Sequence, residues 1–258
     1  MKKIKIFLIV IAALSLICVL SACNSDAVKY DFKDGVFGYT IGDDGESVTL
    51  SVWLDRTDGN VVIPSTVTNG DKTYKVTTIG NGVFAASYQN LKATDCFGNY
   101  SDVSNNQLVS ITFAPNSNVT VIEGRAFEKC KNIETVILPE SVKEIKGFAF
   151  YKCEKLKTVT IEKNVAQIGD DCFSGCTSLE TVTLKHTDEK NLPEIGDRVF
   201  KWYDSSVKSF MGSSDPYKVI GCTIKVENAV MLSAFKNTAT SSNINLRYWS
   251  DYANILSI

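Results

Sequence analysis

Thiols and imidazoles are the side chains best able to attack, cross-link or hold a metal, and this 258-residue chain has eight cysteines and one histidine. Cys130, Cys153 and Cys176 recur at an interval of 23 residues, and Cys172 stands four before the last of them. A zinc site on Cys172 and Cys176 needs further Cys or His ligands, and the neighbouring sequence supplies none. His186 has no serine or cysteine motif to serve, so most nucleophilic triads are excluded and a solvated ring is expected. Asp43-Asp44-Gly45 and Asp58-Gly59-Asn60 lack the alternating ligands of a calcium loop and read as turns between strands. Gly80-Asn81-Gly82 lacks the third glycine of a dinucleotide fingerprint. Nothing places two carboxylates around a cleft. The residue types therefore predict no catalytic residue, no metal site and no cofactor.

Charge removes another class of function. Lysine and arginine total 27 against 29 aspartates and glutamates, so the basic excess that nucleic acid demands is missing. With 44% hydrophobic and 22% charged residues the chain can bury a core. Its first 22 residues stand apart: Lys2, Lys3 and Lys5 precede an apolar run from Ile6 to Val19, followed by Leu20-Ser21-Ala22-Cys23. The run is marginal for the ~20 residues of a full span, and the pattern reads as a signal peptide over 1–22. An uncleaved N-terminal anchor is the alternative, and either reading leaves the remainder outside the cytoplasm. Loss of the three lysines leaves an acidic excess, which offers no polybasic attraction to lipid.

The elements that must position these residues are set by the same interval of 23. Ile122, Ile145 and Ile168 keep it, as do Phe127, Phe150 and Phe173; Ile133, Leu156 and Leu179; Val136, Val159 and Val182; and Leu138, Ile161 and Leu184. Ile79 with Phe84 opens an earlier copy, interrupted over 85–107 and resumed at Leu108, and Ile195 with Phe200 opens a later one displaced by four residues. Beyond Trp202 the register is lost. Val-x-Leu places two apolar side chains on one face of a short strand. A unit this small cannot bury its apolar face alone, so the copies stack into a solenoid with columns of Ile, Phe, Leu and Val. Cys130, Cys153 and Cys176 form one such column, whose parallel side chains favour buried free thiols over disulfides. Cys172 shares a column with Ala126 and Ala149 and reads as a small core residue. Together with Cys96 and Cys222 these make an even number outside the leader and anchor, which permits disulfides in an extracellular protein.

The unit Ile-Gly-x-x-x-Phe-x-x-Cys-x-x-Leu-x-x-Val-x-Leu-Pro, read with substitutions from Ile122 to Pro139 and from Ile145 to Ile161, resembles the BspA-type leucine-rich repeats of bacterial surface proteins. The resemblance implies a right-handed repeat solenoid, mainly β with short helical or irregular segments. It implies a lipoprotein signal peptide over 1–22, an anchor and tether over 23–28 and a β-rich capping region over 29–75. Repeats over 76–200 with the 85–107 insertion follow, then an irregular insertion and a closing strand with helices over 201–258. Asn228 is placed to cap a terminal helix. Leu-Ser-Ala-Cys resembles the bacterial lipobox, which implies diacylglyceryl and fatty acyl chains, palmitate among them, on Cys23 and attachment to the outer face of a membrane. The family implies cell-surface binding or adhesion without enzymatic activity.

Two surfaces are candidates for a ligand. Outward strand residues form hydroxyl-rich columns, Ser110, Thr135, Thr158 and Thr181 beside Thr112, Thr160 and Thr183, with Ile137 among the latter. Threonine also suits strands for packing alone, so this face reads equally as a binding surface and as a solvated sheet. Tyr88 and Tyr100 in the first interruption, and Trp202 and Tyr203 in the last, are expected to be exposed, either for recognition or as decoration folded over the solenoid. The expected partner is an extracellular protein or glycan. A carbohydrate-active enzyme or accessory module and a structural envelope spacer are the rival readings.

Overall fold

The computed structural model describes residues 28–86, 92–95, 100–102, 108–187, 189–203, 217–219, 222–226 and 253–257. Cys23, Tyr88 and Cys96 lie outside them. In chain order the strands are β1 (Val28–Tyr30), β2 (Phe32–Lys33), β3 (Phe37–Ile41), β4 (Ser47–Trp53), β5 (Asn60–Ile63), β6 (Thr66–Asn69) and β7 (Lys72–Ile79). The first interruption holds β8 (Lys92–Asp95) and β9 (Tyr100–Asp102). The repeats supply β10 (Ser110–Phe113), β11 (Val121–Ile122), β12 (Thr135–Ile137), β13 (Glu144–Ile145), β14 (Thr158–Ile161), β15 (Gln167–Ile168), β16 (Thr181–Leu184) and β17 (Glu194–Ile195). The C-terminal part adds β18 (Lys201–Tyr203), β19 (Tyr217–Val219), β20 (Cys222–Val226) and β21 (Ala253–Ser257). A 3-10 turn at Glu189–Asn191 is the one helical element among the described residues, and no described helix is long and apolar enough to cross a membrane.

Each repeat contributes to three stacked sides. Strands of three to five residues align in parallel as β12-β14-β16-β20-β21, with Val136 opposite Val159, Val159 opposite Val182 and Val182 opposite Ile224. Two-residue strands align as β11-β13-β15-β17 and join through β7 to the antiparallel β2-β3-β4 of the N-terminal region. The third side is made of turns, yet its backbone is also paired: Phe84 N–H donates to Ala126 O at 2.8 Å, Phe127 to Ala149 at 2.8 Å and Phe150 to Cys172 at 2.9 Å. Buried backbone polar groups thus find partners one repeat away, the condition a stacked architecture must meet.

The apolar columns fill the interior. Phe84, Phe127, Phe150, Phe173 and Phe200 are fully buried and stack face to face, with centroids 5.1, 4.9, 5.4 and 5.7 Å apart and ring planes within 9° of parallel. Each buried ring contributes roughly 1.5–3 kcal/mol. Trp53 starts the stack, 5.5 Å from Phe84, so the β-rich region caps the column rather than merely preceding it. The interruptions do not break the register. Ile122 pairs with Ile79 across the first, and Ile195 pairs with Ile168 across the four-residue surplus.

Two expectations about the C-terminal end are corrected. The register resumes after Trp202, because β20 lies beside β16 with Leu184 opposite Val226. The helical C-terminal cap is not supported: the described residues after Val226 form β21, which adds a further parallel strand with Ile255 opposite Ile224. Ile255 and Leu256 fit that pairing as strand formers. Asn228, the stretch 229–235 and residues 249–252 lie outside the described residues.

A third correction concerns His186. It is not solvated but only 1% exposed, and its Nε2 lies 3.0 Å from Val165 O. The reason is the strand period: Val182, Leu184 and His186 share the inward face, and Lys185 N–H extends the ladder to Ile161 O. The turns hold a regularity that glycine placement concealed. The third residue after each repeat isoleucine is left-handed, at Gly82, Arg125, Phe148, Asp171 and Arg198. Gly169 serves another need, since a Cβ there would collide with the backbone of Gly147 one repeat earlier.

Candidate functional site: the outer face of the long strands

Along β12, β14, β16 and β20 the inward residues are fully buried, and the alternation turns the residues between them outward. Thr135, Thr158, Thr181 and Thr223 form one row, and Ile137, Thr160, Thr183 and Lys225 the next. The Thr158 hydroxyl donates to Thr135 Oγ1 at 3.1 Å. Just before these strands Lys157 Nζ reaches Glu134 Oε2 at 2.8 Å, and beyond their other end Lys163 Nζ reaches Glu140 Oε2 at 3.0 Å. The hydrogen bond from Lys157 holds the Glu134 carboxyl below the usual range and raises the lysine in return. Such exposed pairs set register more than stability.

Ser110 and Thr112 belong to a different sheet. Their strand, β10, pairs in parallel with β5 of the N-terminal region, and the two form a sheet of their own. Ser110 Oγ donates to Asn60 Oδ1 at 2.8 Å, and Thr112 Oγ1 lies 3.4 Å from Val61 O. The outward columns therefore continue as Asn60 and Val62, but across a discontinuity between β10 and β12. An open cleft of about 700 Å³ lies there, lined on one wall by Thr112, Phe113 and Asn116 and on the other by Ile137, Pro139 and Ser141. Ile137 on its wall is 61% exposed, and two further aliphatic side chains are exposed on the adjoining sheet, Val62 of β5 at 60% and Val109 just before β10 at 50%.

The predicted residues are thus partly brought together. Thr135, Thr158, Thr160, Thr181 and Thr183 share one sheet, while Ser110 and Thr112 face them from β10. Tyr100 lies on β9, which pairs with β8 and through it with β1, away from the long-strand sheet. Trp202 and Tyr203 lie on β18 in an antiparallel pair with β19. The columns alone did not reveal the cleft or the aliphatic patch. A signal for them was present: Ile111 precedes Val136 by 25 residues, not 23.

The thiols offer no chemistry at this face. Cys130, Cys153, Cys172, Cys176 and Cys222 are buried thiols outside any disulfide. Burial pushes Cys130, Cys153 and Cys172 upward, and Cys222 to about 11, so these thiols stay protonated and poorly nucleophilic. No group of metal-ligating side chains gathers among the described residues.

Residues 99–220 match the BspA type leucine rich repeat region in six copies. Over those residues the chain is similar to the BspA-type leucine-rich repeats. The match spans just under half of the sequence. No curated protein matches it. Among solved structures, a leucine rich cell surface protein from Faecalibacterium prausnitzii is 25% identical, with a TM-score of 0.42. The alignment covers 78% of this chain and 56% of that one, so this chain spans little more than half of that relative. The T. pallidum leucine rich repeat protein is 21% identical over 66% of this chain and 87% of its own, with a TM-score of 0.36. A leucine-rich repeat protein from Bacteroides ovatus is 18% identical over 77% and 66%, with a TM-score of 0.32.

Proposed function

We propose that this is a non-enzymatic bacterial cell-surface protein, held to the membrane by lipid on Cys23, whose long-strand face binds an extracellular protein. The observation that supports the reading is the rows of outward hydroxyls, with Ile137 beside them, on β12, β14, β16 and β20, which pair in one unbroken register. A rigid, extended and nearly uncharged wall suits a broad macromolecular contact better than it suits a small substrate. The repeat family supports the same role. A glycan partner would need hydrogen bonding along the threonine rows together with the aromatic residues of the interruptions.

Binding of whole cells to immobilised host proteins and to a glycan array tests this. Deletion of the protein should abolish retention on one class of ligand, and Thr158→Lys should reduce it by about tenfold or more by placing an uncompensated charge within the contact. Trp202→Ala tests the contribution of the last interruption. Equal retention by the deletion strain sinks the binding role. For the anchor, Cys23→Ser should release the protein from membranes or stall its precursor, and unchanged mass and membrane retention would refute lipidation.

A further inference from the structure

Apart from the long-strand face, we infer that the outer edge of β5 receives an extended basic segment of a partner protein, added as one further strand. The N-terminal region finishes the two sides of the stack differently. On the short-strand side β3 and β2 follow β4, whereas among the described residues β5 pairs with β10 alone. Ser110 and Ala114 donate to Gly59 O and Ile63 O. In a parallel pair this turns the backbone groups of Val61 and Ile63 to β10 and those of Asn60 and Val62 away from it. Asp58 Oδ1 takes the Asn60 N–H at 2.8 Å, but the Asn60 carbonyl and both backbone groups of Val62 have no partner among the described residues. An unpaired row of this kind is where another backbone can add a strand.

The space beside this edge is open. A cavity of about 320 Å³ is lined by Asn60 and Val62 of β5 and by Val36 and Phe37, where β3 begins. No residue of β10 lines it, so it lies on the unpaired side of β5. Val62 is 60% exposed and Val36 41%, which gives an added strand apolar contact as well as backbone partners. The added strand needs to bond to β5 alone.

Charge names the occupant. Asp34, Asp55 and Asp58 line the same cavity, and no lysine or arginine does. All three are exposed, and among the described residues their carboxylates accept from neutral donors: Asp34 from Val36, Phe37 and Tyr39, Asp55 from Thr57, and Asp58 from Asn60. Arg56, between them in sequence, is engaged by Trp53, with its Nε donating to Trp53 O at 3.1 Å and its guanidinium 5.1 Å from the ring centroid. The three carboxylates do not converge as a metal site requires, so cationic side chains spread along a segment suit them better than a single ion. A second copy of this chain, paired through the same edge, would bring like charges together. Alternate residues of a strand share a face, and lysine or arginine alternating with aliphatic residues therefore meets both the carboxylates and the exposed valines.

Random linear peptides of about eight residues, displayed on phage, are the probe, panned against the full chain in detergent; selected peptides are then synthesised and their affinity measured. Selected sequences should carry several lysines or arginines with aliphatic residues between them. Asp55→Asn combined with Asp58→Asn keeps the side-chain oxygens of both turns, removes the charge and should weaken binding by about tenfold or more. N-methylation of two successive central peptide nitrogens, one of which must face β5, should weaken it as much. Val62→Pro removes the outward N–H of β5, spares the bonds to β10 and should act likewise. Glu154→Gln, which removes a carboxylate paired with Lys131 within the repeats, should stay within about twofold. Melting curves establish that the variants remain folded, and the N-methylated peptide needs no variant at all. Failure to select basic peptides, or equal binding by the double aspartate variant, overturns the inference. Binding that falls with the carboxylates but survives N-methylation also overturns it, because it would show an acidic patch without strand addition.

Discussion

The thiol of Cys153 donates to the carbonyl oxygen of Phe127, one repeat earlier, across 3.2 Å. The same bond joins Cys130 to Phe84 at 3.0 Å and Cys176 to Phe150 at 3.1 Å. The cysteine column therefore ties each rung to the phenylalanine backbone of the preceding one. Cysteine suits it by being small and apolar enough to bury while keeping one weak donor. Cys153→Ala removes both volume and bond and should cost about 1–3 kcal/mol in urea unfolding. A loss too small to measure would leave the bond without energetic meaning.

The same geometry predicts thiol behaviour. In the folded protein Cys130, Cys153 and Cys176 should resist a thiol reagent because they are buried, and burial also raises the pKa of Cys130 and Cys153. In denaturant without reductant they should all react. Fewer than three reactive thiols would show that the column is oxidised.

Phe150 occupies the middle of the ring stack, 4.9 Å from Phe127 and 5.4 Å from Phe173. Phe150→Ala should destabilise by about 3–5 kcal/mol, since rigid neighbours on both sides prevent collapse of the cavity. A loss below about 1 kcal/mol contradicts the stack as a source of stability.

Gly169→Ala should cost about 1–3 kcal/mol, because the new methyl group meets the Gly147 backbone, which cannot yield as a side chain would. Gly124→Ala meets its neighbours, Asn81 Nδ2 and Gly147 O, at 3.3 Å and should cost less. Thermal melting of the two variants gives the order, and a reversed order refutes the packing argument.

Burial lowers the His186 pKa from its ordinary 6.5, while the bond to Val165 O opposes the shift. A folded-state pKa below the unfolded value means that the unfolded chain takes up the proton first. Stability from this residue is therefore complete above about pH 6.5 and falls as pH drops from there through the folded pKa. Urea midpoints measured between pH 7.5 and pH 5.5 should decline more for the parent than for His186→Asn. Parallel declines would remove His186 as the cause.

The repeat was legible because its apolar columns obey one interval, and the three-sided stack follows from those columns needing neighbours. Phe84 and Phe200 could be placed in the stack despite the material beside them. His186 was misread because its charged surroundings outweighed the strand period that places it inward with Val182 and Leu184. The expected terminal helix followed family likeness, whereas Ile255 pairs beside Ile224 as a strand. At the candidate site the threonine rows were readable from alternation alone. The cleft was legible only as a 25-residue step from Ile111 to Val136, which marks surplus residues but not that β10 pairs with β5, a strand outside the repeats.

Phe84 and Phe127 lie 43 positions apart in the sequence yet touch ring to ring at 5.1 Å. Both ends of the intervening excursion are thereby clamped by neighbours that do not depend on what it contains. The chain has a socket there: its contents can be lengthened, shortened or replaced without re-registering the rungs, and novelty can accumulate at that point while the ladder stays intact.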